Sequence, residues 1–443
     1  MAFEQNRSIN KKFIGIRKPS FLEYLFILVM IISAGHANKF VFFTFPDNPA
    51  GFITLVLLST VLAVKKNIVF NKRFFLLLFC YLIYYLAITI KYGEIHPTIF
   101  IFYSLLFYVV YVVIHGLKSD LFALYETVLF HLAIVGLVMW LIQVIMGGDT
   151  LYNYFGKISS IADFSFVTMG GLNTILYSVQ PSSASVLFDF LPPRNCGFAW
   201  EPGGFAVFLC LAIFINLFIT KTYIKSKIQF GILVLALLST QSTTGYVIFL
   251  IIILSYYFNR KLGVVLLLLP VVIAVLITIV SLPFMSEKIR TLINETNEMA
   301  VIVEASIGSE TTTTPQRFTS LKIALKDFRD NPILGLGGNM EESWITQSRA
   351  NISPISGIGN LLAHFGVIGF LFFSVLSFNT SIFLSKHFNY NNKMLFFIII
   401  FLISVSYTII LLPLFMSFWM FRFFTPLIQK QDEVNNISTA EIF

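Results

Sequence analysis

Charge is the first shortage in this 443-residue sequence. Asp, Glu, Lys and Arg make up 12% of it, about half of the quarter usual for a soluble domain. An ordinary solvated fold is excluded. Cysteine is scarce too. Of three, Cys80 and Cys210 lie in apolar runs and Cys196 stands in a polar segment, so neither a disulfide framework nor a cysteine metal site is expected. There is no HExxH, paired CxxC or P-loop, and no loop holds an Asp-x-Asp. That last absence argues against a metal-dependent nucleotide-sugar transferase. Gly335-Leu-Gly-Gly338 follows a helical pattern rather than a strand, so it reads as a turn or helix cap and not as a nucleotide loop. No internal repeat recurs at a fixed period, which removes the usual signature of an inverted-repeat transporter.

Apolar residues fill the space that charge leaves. They are 57% of the chain, with Phe at 50 positions. They come in runs long enough to cross a hydrocarbon layer of about 30 Å, which takes roughly 20 helical residues. Stretches such as Leu76-Leu77-Leu78-Phe79 are apolar on every side. A membrane β-barrel would alternate instead, and a helix satisfies its own backbone in lipid. The expected fold is therefore an all-α polytopic membrane protein. Twelve spans are read, at roughly 21–37, 50–64, 73–91, 97–114, 120–146, 201–220, 228–241, 244–259, 262–283, 356–385, 394–412 and 413–426. They become eleven if Pro413 only kinks one long final helix. Gln241-Ser-Thr-Thr-Gly245 is either a tight turn or a break within a re-entrant pair.

The net charge of +8 fits the positive-inside rule better than a nucleic-acid partner. With the N-terminus inside, Lys65, Lys66, Lys72 and Arg73, then Lys221, Lys225 and Lys227, then Arg260 and Lys261 all fall on inner segments. The short outer loops hold only Lys39 and Lys91. Both termini are thus expected in the cytoplasm and both long polar segments outside. Lys11, Lys12, Arg17 and Lys18 precede the first apolar run, and Ser33-Ala34-Gly35-His36-Ala37 has small residues at a cleavage-like spacing. Because many spans follow, the run is read as an uncleaved first helix. The regions are then a five-helix membrane part (1–146), a first outer loop (147–200), central helices (201–283), a second outer loop (284–355), and C-terminal helices with a tail (356–443).

Chemistry is expected at two helix mouths. At the first, Glu201-Pro202 opens a span, with Arg194 seven residues upstream. Arg suits phosphate because its planar fork binds bidentately and stays charged. Gly197, Gly203 and Gly204 allow close backbone approach. An acid before a helix-opening Pro is equally ordinary capping chemistry. At the second, Thr314 would cap and Pro315 would start a helix running to about Asp330. Phe318, Leu321, Ala324, Leu325 and Phe328 share one face and Lys322, Lys326 and Arg329 another. The basic stripe reads as a solvated or headgroup-facing surface. Arg317 stands apart from it, in the first turn, where free amides and the dipole favour anions; snorkelling to headgroups is its plain alternative. Of the intramembrane polar residues, His364 and Asn360 lie about two turns into their span. His131 reads as a hydrogen-bonded packing residue, and Glu126 as facing water near the cytoplasmic end.

At these residues the chain resembles the O-antigen and exopolysaccharide polymerase family of the Wzy type, within the superfamily that includes the O-antigen ligases. The matching elements are Arg194-x-x-Gly197-x-x-x-Glu201-Pro202, Gln241-Ser-x-x-Gly245, and Arg317 leading into Asn331-Pro332-x-x-Gly335-x-Gly337, followed by Gly366-x-x-Gly369. The first five spans match only as generic membrane helices. The resemblance implies a GT-C-like membrane glycosyltransferase without metal or cofactor, on the outer face of a bacterial plasma membrane. It would move a growing glycan from undecaprenyl pyrophosphate to the next undecaprenyl-linked repeat unit. Arg194 and Arg317, with Arg349 as a third cation, would hold the pyrophosphate beside Gly203 and Gly204. Glu201, with His364 behind it, would be the base. Membrane lipids and a chain-length regulator protein are the implied partners. Ligase-like members often carry a His-Asn pair about eleven residues before the glycine aligned with Gly366, and here that place reads Ile355-Ser356. This tilts the reading from ligase to polymerase. The rival from another class is a polysaccharide or lipid transporter, which would carry its charge along a central path near the midplane.

Overall fold

The computed structural model describes residues 19–35, 50–162, 171–180, 192–258, 299–309, 313, 315, 317–352 and 355–425. Helices α1 (Phe21–Ala34) and α2 (Ala50–Lys65) are followed by the longer α3 (Lys72–Tyr92), α4 (Pro97–Leu117) and α5 (Asp120–Met146). Next come α6 (Gly148–Ala162) and a two-stranded antiparallel hairpin, β1 (Leu172–Thr174) and β2 (Tyr177–Val179), with Asn173 opposite Ser178. The central helices are α7 (Pro202–Phe214), α8 (Thr222–Lys225), α9 (Lys227–Ser239) and α10 (Thr243–Phe258). Then follow α11 (Met299–Ser306), α12 (Arg317–Asp330), α13 (Trp344–Gln347), α14 (Gly357–Phe388), α15 (Leu395–Ser406), α16 (Pro413–Trp419) and α17 (Phe421–Phe424).

Five of these elements are long and apolar enough to span a bilayer: α3, α4, α5, α7 with its π turn Ile215–Ile219, and α14. Five shorter apolar helices (α1, α2, α9, α10, α15) join them. The chain is a polytopic, helical membrane protein. The span expected at 262–283 lies outside the described residues. The one expected at 413–426 is instead two short helices, because Pro413 starts α16 and Met420 separates it from α17. The run 394–412 is not one span either: α15 stops at Ser406 and Tyr407 is extended (φ −144°, ψ 144°). Gln241 and its neighbours form a tight turn from α9 to α10, with Gln241 at φ 49°.

Helix α7 is the axis of the bundle. Every residue from Pro202 to Ile219 is buried, as expected of a helix that is apolar all round. Small residues let neighbours close on it. A Cβ at Gly245 would stand 2.7 Å from that of Ala206, and one at Gly136 would touch the Phe205 ring at 3.3 Å. Glu126 does not face water as expected. It is 2% exposed. It accepts hydrogen bonds from Asn216 (2.6 Å), Thr220 (2.5 Å), Gln229 (3.0 Å) and Thr222 (3.4 Å). Four neutral donors thus meet a buried acid and tie α5 to the end of α7 and the start of α9. His131, expected to pack, is exposed on the outside of the bundle.

Helix α12 begins at Arg317, two residues later than expected; Thr314, the expected cap, lies outside the described residues. Its buried residues are Thr319, Ser320, Ile323, Ala324 and Asp327, not the Phe–Leu face that the periodicity suggested. Phe318 is 60% exposed. The small residues form the seam with α14, where a Cβ at Gly359 would meet Ala324 at 3.0 Å. Small residues on this face let the two helices come close. Asp327 holds the segment beyond it, accepting from Ser343 Oγ (2.7 Å) and the Trp344 amide (2.9 Å).

Helix α14 is broken at Gly366, whose φ is 61° and ψ −160°. The chain after α12 fills the break. Leu336 N donates to Ala363 O (3.0 Å) and Gly337 N to His364 O (2.7 Å), while Val367 N donates to Pro332 O (2.8 Å). The loop thus supplies donors to the carbonyls below the break and an acceptor to the amide above it. From α3, Tyr84 donates to Leu334 O (2.6 Å), and Lys91 reaches Gly335 O (3.1 Å) and the Asn331 side chain. Gly335 and Gly337, at φ 66° and 67°, give the loop its turns. A Cβ at Gly366 would stand 2.2 Å from Ile333 O. Gly366→Ala is therefore expected to lower stability by more than the about 1–3 kcal/mol of backbone strain alone. Thermal unfolding in detergent reads this as a fall in Tm, and an unchanged Tm would mean that the loop is not seated in the break.

Candidate functional site

Glu201 is the N-cap of α7 in extended conformation, yet its side chain makes no capping hydrogen bond. The carboxylate goes across to the start of α12. Arg317 Nη2 stands 3.4 Å from Glu201 Oε1 and donates to the Tyr407 hydroxyl at 2.6 Å. Its Nε donates to Ser406 O at 3.3 Å, and the guanidinium lies 4.8 Å from the centre of the Tyr407 ring. Arg317 therefore clamps the end of α15 against the mouth of α7. Nη1 has no hydrogen-bond partner among the described residues, so one terminal nitrogen of the fork is left over.

Arg194 repeats the arrangement. Its Nε donates to Thr240 O at 3.3 Å, at the C-terminal cap of α9, and its two terminal nitrogens have no partner among the described residues. Helix C-termini carry unpaired carbonyls and the negative end of the dipole, which hold a guanidinium without using its outer edge. Arg73 shows the contrast. Its Nη1, rather than its Nε, donates both to Phe423 O (2.8 Å) and to Thr425 O (3.1 Å), so the atom that closes the helix end is a terminal nitrogen. Arg194, Arg317 and Glu201 all lie within electrostatic reach of the Tyr407 hydroxyl. The two helix mouths singled out in the sequence are thus one locus. Burial pushes the nearby Cys196 thiol up to about 12, which removes it as a nucleophile at neutral pH.

Tyr407 was not foreseen. It is 2% exposed, its hydroxyl accepts from Arg317, and Trp200 meets its ring edge-on at 5.6 Å. The signal was Ser404-Val-Ser406-Tyr407-Thr408, a polar group inside an apolar run. The glycines of the first mouth leave room, but the protein's own rings take it. A Cβ at Gly203 would stand 2.0 Å from the Tyr407 hydroxyl, one at Gly204 3.0 Å from Trp200, and one at Gly197 2.7 Å from Phe205.

Other expected members stand apart. His364 is half-buried, and its carbonyl serves the loop in the α14 break. No hydrogen bond or ion pair among the described residues joins its ring to Glu201, Arg194 or Arg317. Arg349 is exposed, with φ 58°, and its carbonyl accepts from Gly308 N at 3.2 Å. Ser356, where ligase-like sequences have a His-Asn pair, caps α14 by accepting from Gly359 N at 3.2 Å and lies 3.4 Å from Val405 O. That position is beside the arginine clamp.

The Gly203 contact gives a test that needs no substrate. Gly203→Ala drives a methyl into the Tyr407 hydroxyl and is expected to cost about 1–3 kcal/mol, the usual range for overpacking. In a Tyr407→Phe background the offending oxygen is gone, so the same substitution should cost less. Equal falls in Tm in the two backgrounds would remove Tyr407 from the mouth of α7.

No curated protein and no solved structure matches the chain. Residues 228–374 match the family model Wzy_C, described as O-antigen ligase. The match takes in the turn after α9, Arg317, the loop that follows α12 and the break in α14, and it leaves out Arg194 and Glu201. The chain therefore carries a domain of the O-antigen ligase and polymerase family.

Proposed function

We propose that the chain polymerises lipid-linked polysaccharide repeat units. Members of the family transfer glycans carried on lipid. In this reading a hydroxyl of the incoming repeat unit attacks the anomeric carbon of the growing chain. The bond from that carbon to the pyrophosphate oxygen breaks, and the pyrophosphate leaves on its undecaprenyl carrier. Arg194 and Arg317 stabilise the charge on the leaving group, and Glu201 takes the hydroxyl proton. Arg349 would meet the glycan further out, while Gly203 and Gly204 serve the packing of Tyr407 and Trp200 at the mouth. In this reading the two arginines supply the charge stabilisation of the leaving group that a metal supplies in other transferases.

The observation that carries this reading is the shared anchoring of the two arginines. Each is fixed through Nε to a helix-end carbonyl and keeps donors for a ligand oxygen, both terminal nitrogens at Arg194 and Nη1 at Arg317. Glu201 comes before His364 as the base because it already touches Arg317. Polymerase comes before ligase because the helix mouth beside the clamp has Ile355-Ser356, with no titratable group, where ligase-like sequences have a His-Asn pair. The distribution of basic residues supports a bacterial plasma membrane protein with both termini in the cytoplasm and this locus on the outer face.

Deletion in the native host, with lipid-linked intermediates resolved on a gel, is expected to leave single repeat units at the surface or on the carrier. Full-length polymer accumulating on the carrier would make the protein a ligase, and single units trapped inside would make it a transporter. Arg317→Lys and Arg194→Lys keep the charge and lose the fork. Each is expected to cut polymerisation by about a hundredfold or more, the scale of losing a key transition-state donor. Unchanged chain length in both variants would overturn the assignment.

A further inference from the structure

Arg73 closes the end of α17, yet a second arginine stands beside it. The carbonyls of Phe423 and Thr425 are both taken up by Arg73 Nη1. Arg422 Nη1 lies 3.5 Å from the same Thr425 oxygen. Two guanidinium groups thus meet at one acceptor, within electrostatic reach of each other. The Arg422 guanidinium is stacked 4.8 Å from the centre of the Phe383 ring. Both arginines are half-buried. Among the described residues, Nε and Nη2 of each have no hydrogen-bond partner, and no carboxylate pairs with either. Lys118 adds positive charge close by, since it and Arg73 both act on His115.

Closing the helix end explains one of these arginines and not two. Like charges at a shared acceptor repel, and more strongly where water is scarce. An anion between the free edges removes that repulsion, and arginine forks suit phosphate oxygens. The surroundings point to its source. Helix α17 packs against α3, α4 and α14. Phe383 lies near the last turn of α14, whose first residue, Gly357, packs on Tyr407, so the pair stands at the end of the bundle far from the clamp. Arg73 is in the first turn of α3, a helix long and apolar enough to span a bilayer, and the ends of such helices lie at headgroup depth. Leu76 and Ile83 follow Arg73 on the same side of α3 and are more than half exposed, which offers acyl chains an apolar surface next to the arginines. We propose that Arg73 and Arg422 bind the phosphodiester headgroup of an anionic phospholipid, as basic pockets between spanning helices do. A donor whose pyrophosphate is held at the clamp cannot also supply this phosphate. Inorganic phosphate offers the same oxygens without the acyl chains, and the experiment separates the two.

The full chain in neutral detergent is titrated with phosphatidylglycerol, phosphatidylcholine or inorganic phosphate, and Tm is read at each concentration. Phosphatidylglycerol is expected to raise Tm by several degrees, as a ligand of the folded state does, and the other two to leave it in place. Arg422→Gln spares Arg73 and the closed helix end. It should raise the phosphatidylglycerol concentration for half of the effect about tenfold. Arg329→Gln, at an exposed position of α12, should leave that concentration unchanged. Every shift is taken from the same variant without lipid, so a lower starting Tm does not mask it. An equal shift with phosphatidylcholine, an equal shift with inorganic phosphate, an unchanged midpoint in Arg422→Gln, or the same loss in both variants would overturn the proposal. Binding is read without glycan transfer, so the result stands whichever reaction the chain performs.

Discussion

A helix that ends within an apolar body leaves carbonyls without donors, and each such group costs about 1–3 kcal/mol if nothing reaches it. Water cannot be called on in a bilayer. This chain meets the demand with guanidinium groups at the ends of α9, α15 and α17, and with a whole loop at the break in α14. The candidate site is built from the same solution. Arg194 and Arg317 sit where they do because Thr240 and Ser406 present carbonyls there. The nitrogens left over, both terminal ones at Arg194 and Nη1 at Arg317, are thus held by the fold itself.

The break in α14 has a related logic. Non-helical backbone at membrane depth is tolerated only when protein covers it, and the Asn331–Gly338 stretch provides that cover. The glycines on both sides are demanded by contact between two backbones, not by a ligand. The loop, the clamp and the arginine pair therefore share α14 as a common wall, with the clamp at its start and the pair near its last turn.

Much of the site was legible because its residues are of unusual type for their place. Arg194, Glu201 and Arg317 are charged groups at helix mouths in a chain poor in charge. Tyr407 escaped because tyrosine is common here, at 18 positions, and the run around it is apolar enough to read as one span. The glycines before α7 were read as room for a ligand, since a sequence does not say which ring will fill the space. On α12 the periodicity placed the Phe and Leu side chains together on one face. Which face is buried depends on the neighbour, and Thr319, Ser320 and Ala324 are buried because small side chains let α12 close on α14. The α6 helix and its hairpin went unread, as strands of three residues leave too little pattern to detect. His364 was read from its depth alone; its backbone carbonyl accepts from the loop, and its ring lies beside that of Phe365.

An arginine addressed to a backbone carbonyl is indifferent to the side chain that carries that carbonyl. Thr240 and Ser406 position the two guanidinium groups, yet other residues at those places would do so equally well, provided the helices end at the same point. The positions that hold the clamp are thus free to drift while its geometry is inherited. Comparison of sequences would mark the arginines and pass over what fixes them.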